Sequence, residues 1–171
     1  KTPLPDLRES YAYKETKPFG TNIAYRLLQN SFPDNYVQTK KMPFEDLVLA
    51  SSDTNSIYCS ITKQFKVTPE AADAILNFVY RGNVFFLSAA DIDTLLLHKL
   101  YCDQKPQNSF SWILQPGFRN TSVKLVQAIA DGSKDSFSYY YRPSHTSFTD
   151  LNDTYSRIAG YNDQGDPNFI I

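Results

Sequence analysis

The chain has 171 residues, including 12 Phe, 12 Tyr and one Trp, and 20% of its residues are charged. A chain this long buries roughly 70% of its unfolded surface in one core, and its composition excludes disordered, collagen-like and linker-like material. With 17 basic and 18 acidic residues the formal charge is −1, which gives no bulk attraction to nucleic acid or anionic lipid.

Cys59 and Cys102 are too few for a disulfide scaffold or a closed zinc site. Each lies beside an apolar run, so both are expected as unpaired thiols, with Cys59 buried. No apolar stretch approaches the ~18 residues that span a bilayer. The chain starts at Lys1, which suggests a segment removed upstream, and it ends on the strand-like Asn168-Phe169-Ile170-Ile171, which suggests truncation.

The first 18 residues carry Pro3, Pro5 and Pro18 and show no period. A helix is expected to begin near Gly20-Thr21, with Ile23, Ala24, Leu27 and Leu28 as its apolar stripe and Pro33 as its stop. Tyr36 to Thr39 is a short strand candidate, and Phe44 to Ala50 one or two helical turns. Ser56 to Ile61 is a better strand. In the next helix Thr68 is the N-cap, Pro69 the first position and Glu70 a complement to the dipole. Ala71, Ala74, Ile75, Phe78 and Val79 form its apolar face, and Gly82 stands where a C-terminal cap belongs. Asn83 to Ser88 then reads as a strand covered on both faces, which completes a βαβ unit with a right-handed crossover. Asp91 is the expected cap of a helix through Leu95, Leu96, Leu97 and Leu100. In the second half Phe110 to Leu114, Val123 to Ile129, Ser136 to Arg142 and Arg157 to Tyr161 suggest antiparallel strands.

Few residues invite a chemical role. His98 reads as a partly exposed helical position and His145 as a loop residue. A triad of Ser88, His145 and an aspartate lacks the Gly-x-Ser-x-Gly elbow. Asn162 to Asp166 resembles a calcium loop, but no Glu follows Glu70 to close it, so a solvated turn is expected. In Phe137 to Arg142, Phe137, Tyr139 and Tyr141 share one strand face. They form either a stacking platform for a sugar or partner or, more simply, part of a packed core.

Lys17-Pro18-Phe19-Gly20-Thr21, Ala24 to Leu28, Ser56-Ile57-Tyr58, Ala74 to Val79 and Arg81 to Ala89 together resemble a bacterial envelope family known as domain of unknown function four-three-five-zero. The likeness covers residues ~8 to 100 well. It implies a class I glutamine amidotransferase-like, flavodoxin-like fold and an extracytoplasmic or membrane-tethered domain. The nucleophilic Cys on an elbow and the His–Glu pair of amidotransferases are not present.

The expected architecture is one α/β domain over residues 1–171: a mainly parallel sheet with helices on both faces, extended by antiparallel strands from the C-terminal half. The expected function is non-catalytic, a ligand- or partner-binding domain of an envelope protein, with no cofactor. Its partner is a protein at the membrane or a small anion, and the membrane is reached only through a segment outside this chain. The alternatives are a divergent hydrolase using Ser88 or Asp91, or a carbohydrate-binding module. Helix N-termini at the strands' C-terminal edge favour anions, which points to a crevice lined by Lys17, Gly20, Thr21, Thr62, Gln64 and Ser88.

Overall fold

The computed structural model describes residues 10–17, 20–33, 37–39, 44, 46, 54–105, 119–126, 134–141 and 146–171. The chain divides into two compact units, one of Lys1–Lys63 with Asp73–Ala89 and one of Gln64–Ala72 with Ala90–Ile171. The elements are α1 (Asn22–Ser31), β1 (Ile57–Phe65), α2 (Pro69–Tyr80), β2 (Val84–Ile92), α3 (Thr94–Lys99), β3 (Asp103–Lys105), β4 (Arg119–Val126), β5 (Lys134–Tyr141), β6 (Ser147–Thr149), β7 (Ile158–Tyr161) and β8 (Pro167–Ile170).

In the first unit, α1 begins where Gly20 and Thr21 suggest, but its apolar stripe is not a core face. Ile23 and Leu27 are exposed and no residue of α1 is buried. Gly20 is required by close approach, since a Cβ there would stand 2.0 Å from the Glu15 carbonyl oxygen. β1 and β2 pair with each other. The Val84 amide donates to the Ser56 carbonyl and the Asp93 amide to the Phe65 carbonyl. The offset is the same at both ends, so the strands run parallel and the connection through α2 makes a βαβ unit.

The ends of α2 follow their local signals. The Thr68 hydroxyl accepts from the Ala71 amide at 3.1 Å, and Gly82 takes the positive φ, +88°, that closes the C-terminus. Asn83 is a tie that its place in an apolar run concealed. It is buried, accepts from the Ser56 amide at 2.9 Å and donates to the Phe78 carbonyl at 3.0 Å. One face of the pair packs aromatically: Tyr58 stacks on Phe85, with ring centroids 5.3 Å apart. Phe44 meets both rings, and Phe78 of α2, edge-on.

The second unit is built differently. β3 and β6 form an antiparallel pair, and the remaining strands form an antiparallel sheet in the order β5-β4-β7-β8. The Gln104 side chain accepts from the Ile92 amide at 3.0 Å, and the Thr146 hydroxyl donates to the Ala90 carbonyl at 3.4 Å. These bonds hold the β3–β6 pair to the end of β2. Among the described residues Leu96 and Leu97 of α3 are the largest fully buried side chains.

This corrects the expected fold class: the sheets are small and mostly antiparallel, not one parallel sheet flanked by helices. One βαβ unit does not extend into a parallel sheet here, because the later strands are hairpin-connected and pair antiparallel. β2 is covered on one face only, its residues alternating between exposed and partly buried. Asp93, not Asp91, caps α3, accepting from the Leu95 amide at 3.1 Å, whereas Asp91 lies in β2 and pairs with Lys66 at 3.2 Å. Val79 is exposed, and Ala72 takes its place in the core. Residues 37–39 carry no strand. Tyr36, Phe110 to Leu114, residues 127–129, Arg142, His145 and the Phe44–Ala50 segment apart from Phe44 and Asp46 lie outside the described residues.

Candidate functional site

Of the residues named for the anion crevice, Thr62 and Gln64 lie on the opposite strand face from Ser88. Lys17 is ion-paired with Glu15 at 3.0 Å. The Gly20 amide donates to the Lys17 carbonyl, that of Thr21 to Ala12 and that of Asn22 to Glu15, so the α1 N-terminus spends these donors on its own chain. The Thr21 hydroxyl bonds the Tyr11 carbonyl at 3.2 Å rather than capping the helix. Thr62 and Gln64 point to the Tyr58 face of β1. Ser88, exposed, points with Val84 and Phe86 to the opposite face of the pair.

His98 is exposed on α3, 3.2 Å from Asp103. Both cysteines are free, but it is Cys102 that is buried while Cys59 is exposed. Cys59 sits on the uncovered face of β1 and not in a core. Partial burial raises the Cys59 thiol. Burial raises that of Cys102, helped by the neighbouring Asp103 charge. Neither thiol has the lowered pKa of a reactive nucleophile. Among the described residues no group of three or more His, Cys, Asp or Glu is placed to hold a metal ion. Asn162 to Asp166 is a hairpin turn: the Asn162 side-chain oxygen accepts from the Gln164 and Asp166 amides, and Gly165 takes a φ of +86°.

The residues that do converge lie on one face of the four-stranded sheet. Thr121 stands opposite Tyr139, Val123 opposite Phe137 and Leu125 opposite Asp135, and cross-strand partners share a face. Leu125 is also opposite Gly160, and Gly160 opposite Phe169. A Cβ at Gly160 would come within 3.2 Å of both the Leu125 Cδ2 and the Phe169 Cβ, which puts those side chains on the same side. Phe137 is 52% exposed, Tyr139 38%, Leu125 36% and Phe169 36%. The expectation that this aromatic strand packs into a core is therefore corrected: β5 pairs with β4 as expected, but Asp135 through Tyr140 are exposed on both faces.

The end of this face where β4 begins is polar. Arg119 donates from Nη2 to Asp163 Oδ2 at 3.2 Å, and the Thr121 side chain, buried, hydrogen-bonds the Tyr139 hydroxyl. Burial raises the Tyr139 hydroxyl above its usual range; the Thr121 bond lowers it and the Asp163 charge raises it. The phenol therefore stays protonated at neutral pH. Asn162, next in the chain to Asp163, is buried, and its side-chain Nδ2 has no hydrogen-bond partner among the described residues.

The alternation of Phe137 and Tyr139 was visible in the sequence, but the corner was not, because Arg119 and Asp163 are 44 residues apart. No described helix is long and apolar enough to cross a membrane. The chain matches no protein-family model, no curated protein and no solved structure.

Proposed function

We propose that this chain is a non-catalytic binding module whose working surface is the aromatic face of the β5-β4-β7-β8 sheet. One observation carries the reading: Phe137, Tyr139, Leu125 and Phe169 are exposed together on one face. Single exposed apolar residues are ordinary, whereas a contiguous group rimmed by polar residues marks an interaction surface. A position in a bacterial envelope, extracytoplasmic or membrane-tethered, belongs to the same proposal and is supported by the sequence resemblance.

The test compares three immobilised proteins: the wild type, Leu125→Ser/Phe137→Ser, and Val84→Ser on the uncovered face of β2. Each is checked by circular dichroism and then exposed to an extract of the source organism. The wild type and Val84→Ser are expected to retain a common ligand that the double variant loses. Equal retention by all three would overturn the proposal.

A further inference from the structure

Resting on that reading, we infer that the face is a platform for a neutral oligosaccharide, with Phe137 and Tyr139 as the stacking surface and the Arg119–Asp163 corner as the hydroxyl-binding end. A sugar ring presents apolar C–H groups on its faces and hydroxyls at its rim. It is recognised by aromatic rings beside fixed polar groups, and both are present here. Phe137 and Tyr139 are two residues apart on one strand face, about 7 Å along the strand, so each ring has room for its own contact.

The polar groups at the corner suit hydroxyls better than ions. Arg119 and Asp163 neutralise each other at 3.2 Å, so neither a carboxylate nor an ammonium ligand meets an uncompensated charge. The guanidinium has five N–H donors in a planar fork, and the Nη2 bond to Asp163 leaves others able to reach a rim hydroxyl. Tyr139 stands opposite the buried Thr121 in the β4–β5 register, so its ring lies beside a polar side chain of the same face.

The experiment is calorimetric titration of the full chain with four neutral hexasaccharides: β-1,4-linked glucose, α-1,4-linked glucose, β-1,4-linked N-acetylglucosamine and β-1,4-linked mannose. At least one is expected to bind. Phe137→Ala and Arg119→Met should each weaken it about tenfold, and Tyr139→Phe, which keeps the ring, less than Phe137→Ala. Val84→Ser should leave binding unchanged. Circular dichroism and thermal midpoints exclude variants that fail to fold.

No binding by any of the four overturns the inference, as does binding that Phe137→Ala and Arg119→Met leave unchanged. If no sugar binds but the Leu125→Ser/Phe137→Ser variant still loses a protein that the wild type retains, the face remains the working surface and only its ligand class is wrong.

Discussion

Asn83 shows how much one side chain can hold in place. Its amide satisfies the Ser56 N–H and the Phe78 carbonyl, joining the start of β1 to the end of α2. Asn83→Leu removes both bonds and leaves those two backbone groups without their partner, a cost of about 2 to 3 kcal/mol, read as a lower urea midpoint. Thr68→Ala removes one cap bond at a solvent-facing helix end and should cost about 1 kcal/mol. The ranking of the two variants is itself a check: if Thr68→Ala proves the worse, Asn83 does not carry the junction. The cap was legible because Thr-Pro-Glu is a local signal. Asn83 was not, because its partners are set by where the chain returns.

At the scale of elements, the sheet depends on Gly160. Its missing Cβ lets Leu125 and Phe169 close over β7. An alanine would meet the Lys124 carbonyl at 3.0 Å, and a backbone atom yields little. Gly160→Ala should therefore destabilise the chain by about 1 to 2 kcal/mol and weaken ligand binding little, a pairing that thermal melts and titration separate. Helix boundaries and hairpin strands were readable here because capping residues and short alternating runs are local. Whether a strand's second face is covered was not. The run Val84-Phe85-Phe86-Leu87 looks the same to the eye whether one layer or two packs against it, and in the structure only one does. The same limit explains why Phe137 and Tyr139 were expected in a core.

For the whole molecule, the clearest solution property concerns alkaline pH. The thiols of Cys59 and Cys102 and the hydroxyl of Tyr139 are all raised in the folded chain, chiefly by burial. A group raised on folding loses its proton first in the unfolded state. These groups therefore favour the folded chain below their unfolded pKa values and stop doing so as pH rises through the folded ones. Stability should be flat near neutrality and fall as pH climbs from about 8.5, the ordinary thiol value, past about 10, that of tyrosine. Urea melts across that range give the slope. Cys102→Ala should flatten its lower part, and a rise in stability there would reverse the assigned sign. Exposure adds a second readout, since Cys59 should be alkylated in the folded protein and Cys102 only after unfolding.

Among the described residues β5 ends the sheet order, pairs with β4 in uninterrupted register, and has no proline in its eight residues. Natural edges are usually blunted by a bulge, a proline or an inward charge, and this one has Lys134 and Asp135 at one end only. With a net charge of −1 the molecules repel each other weakly. Concentrated solutions should therefore associate edge to edge over time. A lysine in place of Ser138, on the side away from Phe137 and Tyr139, should lengthen the delay seen by light scattering without touching the aromatic face. The strand that presents the aromatic face is thus also the one through which the protein would be lost from solution.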